Sequence, residues 1–326
     1  MHKIKILVFG TGSAAYRHVK CLKRIIKKNN VFVYSPNIAR SNDFAKKNNI
    51  SVEKNPFTNI NTYSGIIIAN ANSKHFSIIK KFIKYKKNIL CEKPIVTSIK
   101  ELKYLQRNIK KLSLIDTCFQ LRTNECIQKI KKIIYNNKKN KLLHFRFYVG
   151  YRYDLWRPNN DYSKLRSAGN KTSAGVIWEL SHEIDLLRFL LGNALNTSAY
   201  LTKVSNLKIK VPDLANIIIK LKNGVTGNIQ LDMVSPVYRR GIELIFEKFI
   251  LNFDYKKGII KKTDQNNISR IILKKKESPI IMTMKVIKNF IKSVKNYDNK
   301  KICTINDSLN SVKLINRIIA NSNKIR

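Results

Sequence analysis

The chain has 326 residues, which suggests about two domains, and 44% of them are hydrophobic, which excludes disorder as the main state. Lysine and arginine number 64 against 20 acidic residues, and the formal net charge of +44 would suit a nucleic acid or an anionic membrane. Lys, Asn and Ile, whose codons are AT-rich, are overused together along the chain, and we favour this compositional origin of the charge.

The N-terminal segment and the cysteines indicate the cellular setting. The apolar run within residues 4–9 is too short for the core of a signal peptide and fits a first buried strand. No apolar run approaches the ~18–20 residues of a membrane span. The five cysteines are scattered, without the spacing of a disulfide framework or a zinc site. We therefore expect a cytoplasmic protein with no membrane partner and no metal.

Residues 1–121 alternate short apolar runs with segments of helical periodicity. Strands are predicted over residues 4–9, 31–34, 65–69, 88–91 and 114–119, and helices over residues 13–28, 40–48, 73–85 and 99–110. Continuous Val, Ile and Leu runs between helices are typical of a parallel sheet that is covered on both faces. The pattern predicts an α/β fold with a doubly wound N-terminal domain.

Residues 122–326 follow a different rhythm and form the second predicted domain. Longer strands with alternating apolar and polar residues are predicted over residues 142–151, 214–221, 226–232 and 242–246, and helices over residues 124–135, 280–296 and 308–322. Alternation is typical of antiparallel strands with one face on a core, so an α+β domain is predicted.

The sequence GTGSAA follows the first strand and opens the first helix, and it fits the dinucleotide fingerprint G-x-G-x-x-[G/A]. Gly10 would permit the tight turn, and Gly12 would let backbone amides approach a pyrophosphate at the helix N-terminus, beside Ser13. Ala15 would allow close packing of helix on strand. The motif predicts dinucleotide binding.

The end of the second strand bears on the choice of cofactor. The acidic residue that would hold the ribose 2′-hydroxyl of NAD is missing, and Ser35 stands there with Arg40 nearby. This pattern leans slightly towards NADP, and NAD stays open.

The sequence CEKP, residues 91–94, ends a predicted parallel strand, at the edge of the sheet where ligands bind. Lys93 could meet a bound cofactor there. Beside a cationic nicotinamide and partly desolvated, its pKa would be lowered, which suits proton exchange with a substrate hydroxyl. The alternative is an ordinary loop lysine.

A third motif lies in a helix that we predict through residues 177–191. Its apolar stripe comprises Ile177, Leu180, Ile184, Leu187 and Leu191. Glu179, His182 and Asp185 lie on the opposite side, where carboxylates beside a histidine could tune and orient an acid/base imidazole. The alternative is a partly buried histidine with a structural role.

Together these motifs resemble the Gfo/Idh/MocA oxidoreductases. The resemblance runs through residues 10–18, 68–75, 92–94, 120–122, 173–175 and 178–185. It implies a Rossmann domain followed by an α+β domain with an open, mainly antiparallel sheet. That sheet often forms the oligomer interface in the family, so we expect a homo-oligomer, a dimer or a tetramer.

The resemblance also implies an activity and site residues. It implies an NAD(P)-dependent oxidoreductase that passes hydride between nicotinamide and a sugar hydroxyl or ketone. Lys93 and His182 would handle the hydroxyl proton, and Glu179 or Asp185 would orient the imidazole. The implied cofactor-binding set is Gly10, Gly12, Ser13, Ala15, Ser35, Arg40, Ala69, Asn70, His75, Glu92 and Lys93.

Two departures from the family pattern concern the third motif. The usual triple glycine before the helix is Ser-Ala-Gly at residues 173–175. Many relatives have Asp four residues before the histidine, where this chain has Trp178. Glu179 would replace that Asp only if the local register shifts.

The segment 151–169 bears on the substrate, and it resembles a stretch of family members associated with bacterial cell-surface sugar biosynthesis. Aromatic faces stack on pyranose rings, and arginines pair with carboxylate or phosphate. We therefore predict substrate contacts from Arg122, Trp156, Arg157 and Tyr162, and a small sugar substrate that is acidic or nucleotide-linked. The alternative for the segment is a structural loop.

Two other functions compete with this interpretation. One is a non-catalytic sensor or scaffold that binds dinucleotide, which the presence of Lys93 and His182 disfavours. The other is a basic nucleic-acid-binding protein, which would need clustered basic residues with exposed aromatics. The lysine pairs fall at predicted helix ends and turns instead, so we expect no nucleic-acid partner.

Overall fold

The computed structural model describes residues 4–112, 115–137, 139–156, 174–295 and 301–323. The chain divides into two compact units. Unit 1 comprises Met1–Thr123 and Ser278–Val312, and unit 2 comprises Asn124–Glu277 and Lys313–Arg326. Residues 278–312 were predicted to belong to the second domain, but in the structure they are assigned to unit 1.

Unit 1 contains a six-stranded parallel sheet within its described residues. Its strands are β1 Ile6–Phe9, β2 Val31–Tyr34, β3 Ser51–Val52, β4 Gly65–Ile68, β5 Asn88–Glu92 and β6 Ile115–Cys118. The accompanying helices are α1 Ser13–Leu22, α2 Ile38–Asn48, α3 His75–Phe82 and α4 Ile99–Arg107. The strand order β3-β2-β1-β4-β5-β6 confirms the predicted Rossmann architecture, in which ligands bind where the order reverses, at the carboxyl ends of β1 and β4.

Unit 2 is built on a nine-stranded sheet within the described part of the chain. Its helices are α5 Glu125–Asn136, α6 Val176–Glu179 and α7 His182–Leu191. Its strands are β7 Leu142–Gly150, β8 Ala194–Thr202, β9 Leu214–Leu221, β10 Thr226–Asp232, β11 Arg239–Phe246, β12 Phe249–Asp254, β13 Ile259–Asp264, β14 Ser269–Lys274 and β15 Ser322–Asn323. The sheet is mainly antiparallel, as predicted, with parallel pairing of β7 with β10 and of β8 with β15.

Two helices lie near the C-terminus, and the packing of the first explains why residues 278–294 belong to unit 1. These are α8 Pro279–Val294 and α9 Ile305–Ala320. The apolar face of α8 is buried in the same core as β1, through Val286, Ile287, Phe290 and Ile291. Burial of that face against the parallel sheet therefore returns residues 278–294 to unit 1.

The predicted single helix through residues 177–191 is two helices, α6 and α7. Leu180, at φ −100° and ψ 28°, leaves the helical region and ends α6. Most of the predicted apolar stripe is nevertheless buried, and Leu191 is half-buried. The burial of most of the stripe is therefore as predicted, but the prediction of one continuous helix was wrong.

No helix in the described ranges has the length and apolar character that crossing a membrane requires. All five cysteines are free and buried. Burial raises the pKa of the Cys91 and Cys118 thiols well above the ordinary value, which disfavours the reactive thiolate.

Candidate active site

The predicted dinucleotide turn has the geometry that its glycines suggest. Gly10 has φ +116°, and a Cβ there would lie 2.7 Å from the Ala69 carbonyl oxygen and 2.9 Å from the Asn70 nitrogen. Gly12 precedes α1, and a Cβ on it would meet nothing within 4 Å. Glycine at 10 therefore lets the ends of β1 and β4 approach, and Gly12 leaves space for a pyrophosphate above the first turn of α1.

His75 connects the two loops that follow β4 and β5. Its ring is buried, with Nδ1 2.8 Å from the Pro94 carbonyl oxygen and Nε2 3.1 Å from the Asn70 carbonyl oxygen. These contacts hold the predicted cofactor residues Asn70 and Lys93 on one framework. A direct contact of His75 with the cofactor stays a prediction.

The loop that carries Lys93 is fixed to α1 by the carboxylate of Glu92. His18 Nε2 lies 2.8 Å from Glu92 Oε1, and the His18 side chain is fully buried. Arg17 Nη2 lies 3.9 Å from the same oxygen, and the Lys93 backbone nitrogen donates to Glu92 Oε2 at 3.3 Å. The dinucleotide helix and the predicted catalytic lysine are therefore joined through one buried side chain.

The charges around Glu92 keep it ionised. Burial by itself raises the pKa of this carboxyl, but the hydrogen bond and charge of His18 and the charges of Arg17 and Lys93 lower it to about 2. A permanent negative charge consequently lies next to Lys93 at the carboxyl end of β5.

Among the described residues, His18, Glu92 and Cys118 bring ligand-type atoms within 4.8 Å of one another. No metal was predicted from the sequence. A cation here would have to displace the hydrogen bond between His18 and Glu92 and would meet the positive charges of Arg17 and Lys93. We therefore interpret the group as a hydrogen-bonded pair beside a buried thiol.

Ser35 and Arg40 lie where β2 passes into α2. The Ser35 backbone nitrogen donates to Ser41 Oγ at 2.9 Å. The side chain of Asn37 caps α2 by accepting from the Arg40 backbone nitrogen at 2.9 Å. Arg40 is exposed. Ser35 therefore lies just before α2 and Arg40 lies in the first turn of α2, near the helix N-terminus, where a phosphate is stabilised.

In unit 2, the α6–α7 break determines the surroundings of His182. His182 is the first residue of α7 and is 7% exposed, and Asp185 in the same first turn is buried. Glu179 is half-buried at the end of α6. The break between Glu179 and His182 directly follows Trp178, the position where the resemblance implies an Asp. The role of Glu179 stays a prediction.

A buried ion pair adjoins His182 and was not predicted from the sequence. Arg240 Nε lies 2.7 Å from Glu183 Oε1, and Arg240 Nη2 donates to Glu183 Oε2 at 3.3 Å. Glu183 appeared in the motif only as a residue next to the histidine, and Arg240 lies 57 positions further along the chain. The sequence signal for Arg240 was a basic residue at a position that alternates in step with the buried residues Ile242 and Leu244 of the same strand.

The predicted substrate residues are placed differently from one another. Arg122 is buried in unit 1, where its Nη1 lies 3.2 Å from Asp307 Oδ2 and donates to the Ile302 carbonyl oxygen at 3.2 Å. Trp156 is half-buried in unit 2, and its Nε1 donates to the Tyr151 carbonyl oxygen at 2.8 Å. Arg157 and Tyr162 lie outside the described residues.

The end of the unit 2 sheet where the predicted substrate segment begins is rich in paired charges and aromatic rings. Gly150, the last residue of β7, pairs with Asp232 of β10 and with Arg239 of β11. Arg239 Nη2 lies 3.2 Å from Asp232 Oδ2. The ring of Tyr238 lies 5.8 Å from that of Tyr151.

The fold and the glycine turn of unit 1 define a dinucleotide-binding oxidoreductase scaffold. Two protein-family models match the sequence. The model of the oxidoreductase family with an NAD-binding Rossmann fold (GFO/IDH/MocA) matches residues 4–118, and the model of the GFO/IDH/MocA C-terminal domain matches residues 127–251. Together they match most of the chain, which belongs to the GFO/IDH/MocA family of oxidoreductases.

Two curated relatives from Bacillus subtilis (strain 168) are similar over much of their sequence. Glucose-6-phosphate 3-dehydrogenase is 27% identical over 69% of this chain and 66% of its own length. The scyllo-inositol 2-dehydrogenase (NAD(+)) is 24% identical over 72% of this chain and 69% of its own. The chain thus spans about two thirds of the length of these curated relatives.

Solved structures share the fold along the whole chain. UDP-N-acetylglucosamine 3-dehydrogenase GnnA from Acidithiobacillus ferrooxidans superimposes with a TM-score of 0.80 at 14% identity, covering 99% of this chain and 98% of that one. Levoglucosan dehydrogenase in complex with NADH gives a TM-score of 0.82 at 15% identity, covering 98% and 97%. At these identities the likeness establishes the fold.

Proposed function

We propose that this chain catalyses NAD(P)-dependent hydride transfer between nicotinamide C4 and a secondary hydroxyl, or the corresponding ketone, of a sugar or sugar derivative. The observation that carries the proposal is the Glu92 contact, which fixes the Lys93 loop to the helix of the dinucleotide turn. The named activities of the two curated relatives support the same substrate class.

The dinucleotide, when bound, supplies the hydride acceptor or donor. The Gly10–Gly12 turn would hold its pyrophosphate. Lys93 and His182 would act on one substrate hydroxyl, one exchanging its proton and the other stabilising the developing oxyanion. Asp185 or Glu179 would orient the imidazole of His182.

For the cofactor, we propose a preference for NADP over NAD. Arg40 is an exposed cation in the first turn of α2, and its backbone nitrogen donates to the capping side chain of Asn37. A 2′-phosphate would add charge where both the guanidinium and the helix N-terminus favour it.

For the substrate, we propose a sugar that is acidic or nucleotide-linked. In the described part of unit 2, Arg239 is paired with Asp232 and Arg152 with Asp154. Paired arginines attract an anion less than free ones do. Recognition of the anionic group would therefore rest mainly on Arg157, with Trp156 offering a ring for the pyranose.

We further propose that the open sheet of unit 2 joins two copies of the chain. The outward-facing residues of β9 are exposed in alternation with buried ones, and Ile218 among them is 62% exposed. A continuous sheet face with exposed apolar residues is suited to burial against a second copy.

The test is a panel of sugars with NAD and NADP, followed by the absorbance of reduced nicotinamide. Sugar phosphates, uronic acids, nucleotide sugars and inositols should be included, and His182→Ala serves as the inactive control. Reduction by wild type that His182→Ala lacks would support the proposal. Dinucleotide binding without turnover on any sugar would favour the non-catalytic sensor instead.

A further inference from the structure

The first turn of α7 contains a buried charge that the proposed mechanism does not use. Glu183 follows His182 directly, and its side chain is 2% exposed. Burial of an ionised carboxylate is costly unless the group is paired and hydrogen-bonded. Its partner is Arg240 near the start of β11, whose side chain is 14% exposed.

The pair combines one hydrogen bond with one close contact between opposite charges. Arg240 Nη2 donates to Glu183 Oε2 at 3.3 Å, and Arg240 Nε lies 2.7 Å from Glu183 Oε1 without donating a hydrogen bond to it. A charge-assisted hydrogen bond with a second close contact limits the separation of the two side chains. The first turn of α7 is thereby fixed to one strand of the sheet.

Arg240 is held on its other sides by aromatic residues. Its guanidinium carbon lies 5.4 Å from the ring centre of Tyr255, and its carbonyl oxygen accepts from the Tyr255 backbone nitrogen at 3.0 Å. Burial raises the pKa of the Tyr238 phenol and raises that of Tyr255 to about 12, so both phenols are neutral. Because both phenols are neutral, Glu183 is the negatively charged partner of the guanidinium, and Tyr255 contacts Arg240 through its ring and its backbone nitrogen.

The break in the helix makes the contact of Glu183 with Arg240 important for the direction of α7. Because α6 ends at Glu179, the direction of α7 is not dictated by a continuous helix before it. Adjacent Cα atoms are ~3.8 Å apart, so a fixed Glu183 fixes the backbone of His182 as well.

We propose that the Glu183–Arg240 pair is a positioning device for His182, which sets the place and orientation of the imidazole in the reaction. The proposal rests on the proposed function, because it gives His182 its chemical role. Buried ion pairs are commonly neutral or unfavourable for stability relative to apolar residues of similar volume. Stability alone therefore does not account for this one.

The experiment separates positioning from stability with a double variant. Glu183→Leu combined with Arg240→Met removes both charges and keeps the volume. The thermal midpoint should equal or exceed that of wild type, while kcat should fall by ~10²-fold, the effect of ~1 Å of misplacement. The dinucleotide Kd should be unchanged. A double variant with both the thermal midpoint and the kcat of wild type would overturn the proposal.

A single variant covers the case in which the double variant does not fold. Glu183→Asp keeps the charge but shortens the side chain by one methylene, so the first turn of α7 must move to keep the contact. A kcat about 10²-fold lower is expected. Leu244→Ala, in the core of the same strand, is the matched control that loses stability and keeps kcat. Wild-type kcat in Glu183→Asp would contradict the proposal.

A readout without substrate distinguishes this proposal from the proposed function. The ring C–H resonances of His182 should shift in Glu183→Asp, and those of His144 on β7 should not. A wild type that oxidises no sugar would refute the proposed function. The change in the His182 resonances would then still test whether the Glu183–Arg240 pair positions the imidazole. Unchanged His182 resonances would refute the positioning role even if sugars are oxidised.

Discussion

In both units a buried glutamate lies next to the predicted catalytic residue in sequence, and the partners of the two glutamates differ in origin. In unit 1, Lys93 follows Glu92, which is bound by His18 of the dinucleotide helix, so both partners lie in motifs that the sequence displays. In unit 2, His182 precedes Glu183, which is bound by Arg240 of a distant strand. The glutamate beside Lys93 is therefore held by a residue of a recognisable motif, whereas the glutamate beside His182 is held by a strand that is distant in sequence.

The largest effect is expected for removal of the lysine that unit 1 positions. Lys93→Ala should lower kcat by ~10²–10⁴-fold, because proton transfer to or from the substrate hydroxyl is lost. Dinucleotide affinity should change little, since the glycine turn is intact. Single-turnover kinetics and titration with dinucleotide measure the two quantities. Lys100→Ala, an exposed lysine on α4, is the control and should retain full activity.

The fold around the glycine turn of unit 1 was predictable from sequence because its elements are local. The run Ile6–Phe9 is fully buried and leads straight into Gly10, whose positive φ the fingerprint requires. The contact of Glu92 with His18 joins two recognised motifs, although neither motif states the pairing.

The unit 2 site was less predictable for physical reasons. The apolar stripe of residues 177–191 keeps its spacing through the break at Leu180, so periodicity could not reveal two helices. The partner of Glu183 depends on where β11 lies in the sheet, and the spacing of residues within one segment does not predict the register between distant strands. The lysine-rich strands β13 and β14 lack the apolar alternation by which strands were identified.

The next largest effect is expected for the dinucleotide turn. Gly10→Ala would force a side chain into φ +116° and place its Cβ 2.7 Å from the Ala69 carbonyl oxygen. We expect at least a ~10-fold loss of dinucleotide affinity and a stability loss of about 1–3 kcal/mol. Calorimetric titration and thermal unfolding measure them. Gly224→Ala shares the positive φ, at +88°, in open space and should keep the affinity. Equal affinity losses in both variants would refute the role of the turn.

A pH-dependent effect is expected for the pair that anchors Lys93. The pKa of Glu92 is lowered from 4.5 to about 2 in the folded chain. A lowered carboxyl pKa stabilises the folded state above the unfolded value, and that stabilisation is lost as pH falls from 4.5 to 2.

Glu92→Gln should therefore destabilise the chain at pH 7 by at most about 3 kcal/mol, and the difference from wild type should shrink through this acid range. Denaturant unfolding at several pH values measures it. Asp43→Asn, at an exposed ion pair, is the control and should show little difference at any pH. A Glu92→Gln difference that is independent of pH would contradict the account.

The smallest effect is expected for cofactor choice. Arg40→Ala should raise KM for NADP by ~10-fold and leave KM for NAD nearly unchanged. A charge-assisted contact with phosphate contributes about 1.5–3 kcal/mol, and the exposure of Arg40 places it at the lower end of that range. Steady-state kinetics with both cofactors measures the ratio. An equal rise in both KM values would show that Arg40 does not recognise the 2′-phosphate.

The central claim is that this chain transfers hydride between a sugar carbon and nicotinamide. The most direct measurement incubates wild type with C-deuterated sugars of the panel and with NAD or NADP, and follows deuterium by mass spectrometry. The account predicts deuterium at C4 of the reduced nicotinamide with at least one sugar. Absence of deuterated nicotinamide with every sugar, or no dinucleotide binding at millimolar concentration, would contradict it.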